Sequence, residues 1–474
     1  MDFRECSQML RKSFAYLWID SLCIIQEGDA GADWRHQATL MGKIYQNALC
    51  TIAVHAISDP DESFSKGIFR ERNVGLVTPF ASAASIAKAD NTYLPVSNYY
   101  LIPEYDWAAG VARSPLSRRG WVIQERHLSQ RILHFTEDQI FFECYETVQT
   151  EGWPGGHPVQ SIGRIQRITT DLQALILHRA DKIRYADQAA ITQKLLDDPL
   201  VAWYRMAYTY AGTDLTFPTD KLIAISGLAR AMAPFVSASP ADYLAGVWVR
   251  SLPYGLLWGT SLVDRPEGKP IRPRPPAPYQ GPSWSWASIN WPATYHHQLH
   301  AQPHEKLVAF EGYEVKPKVD PGTGIADPYG EVEPGAWIKV RGTTYGIKLK
   351  WKTAKTNTKN STFFMAEVWT GTGKWPTQNG QSPTVFPDER YIEGETSESR
   401  SDLRVMPMLR SSKESTSKWI EMLILEPTGN PSEYRRFGIM EAWGQMGRQW
   451  FEWHTGNFIG KNISGKREET ITLV

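Results

Sequence analysis

Residues 114–144, SPLSRRGWVIQERHLSQRILHFTEDQIFFEC, leave few local structures open. Trp121, Gln124, Glu125 and Leu128 recur at helical spacing, which predicts a short helix over residues 120–128 with one side turned to a core. Ile132, Leu133 and Phe135, then Ile140, Phe141 and Phe142, are the short apolar runs of buried strands at residues 131–135 and 139–144. Thr136, Glu137 and Asp138 between them are turn chemistry. Glu125 stands out as a carboxylate in an apolar helix, with Arg118, Arg119, Arg126 and Arg131 around it. A lone Glu on a helix is commonly a solvated surface group. The rest of the chain bears on whether it is more than that.

At 474 residues two or three domains are expected, and 19 tryptophans within a 42% hydrophobic composition argue for folded structure over most of the length. Lys plus Arg equals Asp plus Glu at 51 each, so no bulk attraction to nucleic acid or to an acidic membrane follows. The four cysteines, Cys6, Cys23, Cys50 and Cys144, show no metal-type spacing. Cys23 and Cys144 lie in apolar runs and read as buried thiols, which suits a reducing compartment. The first residues, MDFRECSQML, carry charge where a signal peptide needs an apolar run, and no long apolar window follows. A cytoplasmic protein with no membrane span and no nucleic-acid partner is expected.

In chain order, Phe3, Cys6, Leu10 and Phe14 predict an amphipathic helix over residues 1–13. The apolar run Tyr16-Leu17-Trp18-Ile19 reads as a central strand of a parallel sheet, stopping at Asp20. Ligands gather beyond such strand ends, which makes Asp20 and Ser21 candidates; the alternative is that Asp20 caps a turn. Asp33 is a candidate N-cap for a helix whose apolar face is Trp34, Ala38, Met41, Ile44 and Tyr45. Residues 50–55 follow as a strand, so a parallel α/β sheet is predicted. The broken pattern of residues 58–113 suggests a long surface insertion.

Tyr16-Leu17-Trp18-Ile19-Asp20-Ser21-Leu22-Cys23-Ile24-Ile25-Gln26 resembles the core motif of the fungal heterokaryon-incompatibility (HET) domain. Asp33-Trp34, Met41, Ile44-Tyr45 and Asn47-Ala48 resemble its next block. Residues 117–126, SRRGWVIQER, with Leu128-Ser129 and Arg131, resemble its last. The order and spacing of three blocks make the likeness specific over the first third of the chain. There are two departures. The family's opening strand, Ala-Leu-Ser-Tyr-x-Trp-Gly, does not precede these blocks, so the domain reads as lacking its first strand. A position the family tends to keep acidic is Gln37 here.

The resemblance implies an α/β domain distantly similar to TIR domains, some of which cleave NAD with a glutamate following a tryptophan in a helix, as Glu125 follows Trp121. Glu125 is then the candidate catalytic carboxylate, with Asp20, Ser21, Arg118, Arg119 and Trp121 as candidate binding residues for NAD as substrate and no cofactor required. It also implies a trigger of programmed cell death after non-self recognition. Two molecular classes stay open: an NAD-cleaving enzyme, or a non-catalytic signalling module that binds protein partners or itself, with Arg118 and Glu125 as a structural ion pair.

The expected layout is the HET domain at 1–150, a helical region at 157–260, a Pro-rich linker at 264–282 and a mainly antiparallel β domain at 283–474. Glycines and Trp153-Pro154 at residues 151–156 predict a hinge, and helices are expected at 162–190 and 191–210. Residues 220–229 continue the helical part. The alternation in residues 282–288, PSWSWAS, predicts a half-buried strand. Further strands are expected at 307–310, 337–341, 345–351, 363–369, 419–425 and 437–443, with residues 393–418 disordered between two of them. His296, His297, His300 and His304 make a weak metal pattern, since Pro303 interrupts it and no acidic residue is well placed. No phosphate-binding loop and no serine nucleophile elbow occurs.

Overall fold

The strand expected at Arg131 is a middle strand of a four-stranded sheet in the computed structural model. The structure describes residues 16–56, 107–145, 148–151, 198–237, 239–260, 278–290, 304–355, 362–370, 384–388, 399–412, 419–443 and 467–474, with short pieces at 79–81, 86–87, 93–94, 98–100, 172, 175–176, 293–294 and 373–374. The chain divides into two units, Met1–Gln193 and Lys194–Val474. The helix expected at residues 1–13, the hinge glycines, most of residues 162–197 and residues 264–277 lie outside the described residues.

In the first unit a single helical turn, α1 (Asp20–Cys23), precedes the long helix α2 (Ala32–Asn47) and strand β1 (Thr51–Val54). Helix α3 (Gly120–Leu128) then leads into β2 (Arg131–Phe135), β3 (Ile140–Cys144) and β4 (Val148–Thr150). The sheet order is β1-β2-β3-β4, with β1 and β2 parallel and the next two pairs antiparallel. The sheet is therefore mixed, which corrects the expectation of a parallel one. The four residues between Phe135 and Ile140 are too few for a crossover, so β3 must return antiparallel.

Side-chain alternation gives this sheet two apolar faces. On one, Leu17, Ile52, Val54, Leu133 and Ile140 pack on buried Phe135. On the other, Trp107, Val111, Phe141 and Val148 form a second cluster. Trp107 and Val111 belong to a π-helical turn, Ala108–Ala112, and its preceding residue. The end of the expected surface insertion is thus core, and its other described parts are two short antiparallel pairs, 79–81 with 98–100 and 86–87 with 93–94.

Three expectations for this unit are corrected. Tyr16–Ile19 has no ladder partner among the described residues; Ile19 is extended, Leu17 packs on the sheet, and Tyr16 is 95% exposed. Asp33 is not the cap of α2. Gly31 precedes that helix at φ 75°, a conformation that favours glycine, and Asp29 accepts from the backbone of Gly31 and Asp33 at 2.9 and 2.7 Å. Cys23 is exposed and Cys144 half-buried, so neither is a buried thiol.

The second unit carries helices Leu200–Ala211 and Ile223–Val236 and a hairpin of Tyr243–Leu244 with Val247–Trp248. The indoles of Trp203 and Trp286 both donate to the carbonyl of Gly246, at 3.1 and 3.0 Å. Residues 282–288 are not a strand. Ser285 caps a 3-10 turn, Trp286–Ser288, and Trp284 and Trp286 are both buried. Every second residue is aromatic here because a tight turn buries both, not because a sheet has one wet face.

Five strands, Trp337–Lys355, Ser399–Ser411, Trp419–Pro427, Glu433–Trp443 and Arg467–Leu473, pair in a closed ring. The first and second expected strands of residues 337–351 are one continuous strand. It pairs along its first half with Arg467–Leu473 and along its second with Ser399–Ser411, which closes the ring. Tyr345, Ile347, Leu403, Val405, Ile420, Met422 and Met440 are part of its apolar core. Residues 399–411 are therefore ordered strand, which corrects the disorder expected over that part of 393–418. Their alternation of Leu403 and Val405 with Asp402 and Arg404 was masked by the surrounding serines and charges.

Candidate functional site

Helix α3 exists because Gly120, Val122, Ile123 and Leu128 bury one side of it, while Arg119 leads into it in an extended conformation. That packing sets Glu125 toward α2. The hydroxyl of Tyr45 donates to its carboxylate, Asp20 at the start of α1 faces it, and Arg119 supplies a nearby positive charge. Glu125 itself is half-buried. Burial pushes its carboxyl up to about 7, and the Asp20 charge acts in the same direction; the Tyr45 hydrogen bond and Arg119 oppose them. The Tyr45 hydroxyl is raised well above its ordinary range, first by burial and then by the Glu125 charge.

Aromatic rings flank the cluster. Trp18 meets Tyr45 edge-on with centroids 5.7 Å apart, and Trp34 meets Trp121 in the same way at 6.0 Å. Asp33 accepts from the backbone of Ile25 at 2.8 Å and from Gln37 Nε2 at 3.2 Å, which ties the end of α1 to α2. Gln37 thus serves an Asp33 carboxylate and takes no part in the Glu125 cluster.

Of the residues singled out in the sequence, Glu125, Asp20 and Arg119 come together. Trp121 stands on the same helix against Trp34. Ser21 is exposed, and its backbone N–H donates to the Asp20 carboxylate at 2.8 Å. Arg118 is exposed, and among the described residues no ion pair joins it to Glu125. Arg131 is exposed, and Arg126 turns away from Glu125 to the sheet. Among the described residues no group of three His, Cys, Asp or Glu could hold a metal ion. His304 lies in a short strand, and His296, His297 and His300 are outside the described residues.

Arg126 leads to a cluster that sequence reasoning missed. Its Nε and Nη2 donate to the two oxygens of Glu143 at 3.0 and 3.1 Å, and its guanidinium lies 5.1 Å from the Trp107 ring. Glu143 Oε2 is 2.9 Å from His134 Nε2, His134 Nδ1 is 2.9 Å from His55 Nε2, and His55 Nδ1 is 2.6 Å from Ser114 Oγ. His55, Ser114, His134 and Glu143 are all buried.

The directions in this row follow from its charged end. Arg126 and His134 hold the Glu143 carboxyl far below its ordinary range against the opposing effect of burial, so it only accepts. His134 must then donate from Nε2. Burial also pulls the pKa of both histidines down, that of His55 to about 3, so each is neutral. Neutral His134 accepts at Nδ1 from His55 Nε2–H, and His55 accepts at Nδ1 from the Ser114 hydroxyl. Ser114 Oγ also lies 2.9 Å from the Val111 carbonyl; with both histidines neutral its single proton goes to the shorter contact with His55, and that carbonyl accepts from the Ser117 hydroxyl at 2.7 Å. Ser114 Oγ also accepts from the Ser117 backbone at 3.2 Å, and a hydroxyl so fully bonded is a poor nucleophile.

An α/β domain with a half-buried, proton-binding carboxylate beside an acid, an arginine and a set of indoles can act on a ligand that develops positive charge. Residues 3–125 match the family described as Heterokaryon incompatibility protein (HET), so the chain carries a heterokaryon-incompatibility domain over that segment. No curated protein and no solved structure matches the chain. The matched segment ends at Glu125.

Proposed function

We propose that this chain is a fungal trigger of incompatibility-type cell death after non-self recognition, acting in the cytoplasm, and that its HET domain cleaves the glycosidic bond between nicotinamide and ribose in NAD. The observation that carries this reading is the setting of Glu125: half-buried, hydrogen-bonded by Tyr45 and poised near neutrality. As nicotinamide leaves with the bonding electron pair, the ribose carbon becomes oxocarbenium-like. An ionised Glu125 beside it offsets that charge, and water then adds to the sugar and releases a proton. The guanidinium groups of Arg118 and Arg119, ahead of the first turn of α3, suit the diphosphate. Trp121 and Trp34 suit the flat rings. The likeness to TIR domains belongs to this reading and rests on analogy of fold.

A second reading, a non-catalytic module that signals by self-association or by binding a protein partner, draws on a different observation. Leu22, Ile25 and Leu49 of the first unit are 58%, 56% and 61% exposed, an unusual display of large aliphatic side chains. Expression of the wild-type chain and of Glu125→Gln in host cells separates the two. The catalytic reading expects NAD depletion and death with the wild type alone. Death from both, at unchanged NAD, supports the assembly module.

A further inference from the structure

Arg126 is the chain neighbour of Glu125, yet the two side chains serve different ends of the domain. Successive helical residues point about 100° apart, at 3.6 residues per turn, so the roll of α3 decides both placements at once. The helix is tied at its C-terminal end, where Ser129 Oγ lies 2.6 Å from Thr51 Oγ1 and Gln130 donates to the carbonyl of Gln46 at 2.8 Å. Within the helix the charged tie to the sheet is Arg126 with Glu143, and Glu143 is itself fixed through His134 and His55 to Ser114.

We propose that Glu143 is a positioning residue for the Glu125 site: by binding Arg126 through both oxygens it fixes the roll of α3 that sets Glu125 against Tyr45, and it keeps the Arg126 cation off that carboxylate. Its bearing on catalysis rests on the NAD-cleavage reading; the geometry does not. Glu125 is faced by Asp20 from α1, by Tyr45 from α2 and by Arg119 at the start of α3, with burial the largest influence on its ionisation. Without the Glu143 charge, an Arg126 side chain only 12% exposed is left with no counter-charge. It can swing toward water and carry the helix with it, which hydrates Glu125. Otherwise it can fold back on the adjacent Glu125 carboxylate. Both responses favour the ionised form of Glu125.

The test is the titration of Glu125 in the full chain labelled with 13C-glutamate, its signal assigned by loss in E125Q. In E143Q, where the amide still accepts from His134, the midpoint should fall from near neutrality into the ordinary carboxylate range, a drop of about two units. A folded E143Q with the wild-type midpoint overturns the proposal. Should E143Q fail to fold, E143D decides: it keeps the charge but cannot reach Arg126 in the same bidentate geometry. A drop of about one unit supports the proposal, and an unmoved midpoint overturns it. Nicotinamide release is measured on the same samples. A midpoint shifted in E143Q, with a wild-type chain that never cleaves NAD, keeps the positioning role and ends the NAD reading. Cleavage with an unmoved midpoint does the reverse.

Discussion

The hydroxyl of Tyr45 donates to the carboxylate of Glu125 and so joins α2 to α3 at the side chain on which the proposed chemistry depends. That bond stabilises the ionised carboxylate against burial. Tyr45→Phe should therefore raise the Glu125 midpoint further above 7, by about one unit, and shift the rising limb of the pH–activity profile to higher pH. A profile unchanged in Tyr45→Phe would show that the bond is not made in solution.

The buried histidines predict acid lability of the first unit. Burial lowers His55 to about 3 and His127 to about 4, and lowers His134 as well. Between those values and the unfolded value of about 6.5 the unfolded chain binds more protons than the folded one, so stability rises with pH there and is lost on acidification. Urea midpoints followed by the tryptophans of this unit should fall from pH 7 toward pH 4. Replacing His55 by Asn should flatten the lower part of that slope.

Helix α3 and strands β2 and β3 were legible because apolar periodicity and a short polar turn lie within one short stretch. The row from His55 to Glu143 was not. Its members are distant in the chain and meet only through register: Ala53 pairs with His134 and Ile132 with Glu143. His55 lies two residues beyond Ala53 and Ile132 two before His134, so His55, His134 and Glu143 share one face. Nothing in the sequence states that β1 is parallel to β2 in that register. Tyr16–Ile19 shows the opposite limit, since an apolar run reports burial preference but not a ladder partner. Glu125 was legible by likeness; its contact with Tyr45 depends on how two helices pack.

Glu421 and Glu441 predict alkaline sensitivity of the second unit. They stand directly opposite each other on adjacent strands, both buried, and burial together with the Glu441 charge raises Glu421 well above its ordinary value. A raised carboxyl favours the folded state fully below the unfolded value near 4.5 and loses that advantage as pH rises through the folded value. Glu421→Gln keeps the shape and removes the proton that must be lost. It should therefore raise the denaturation midpoint at alkaline pH and leave it nearly unchanged in acid.

Arg436, on the strand Glu433–Trp443, is buried, with its guanidinium bonded to Asp388 and to the carbonyls of Leu256 and Trp258 and stacked on the Trp258 ring. Arg436→Met leaves Asp388 without its cation. The loss should be about 3–5 kcal/mol by chemical denaturation. Arg436→Met/Asp388→Asn should recover part of it.

The central claim is tested most directly by nicotinamide release from NAD by the purified chain and by Glu125→Gln, which keeps size and polarity but carries no charge. The wild type should release nicotinamide at a rate that rises with pH through about 7, as Glu125 ionises. The variant should fold with the same circular dichroism and release none. Equal release by both proteins, or release by neither, would contradict the assignment of Glu125 as the carboxylate that cleaves NAD.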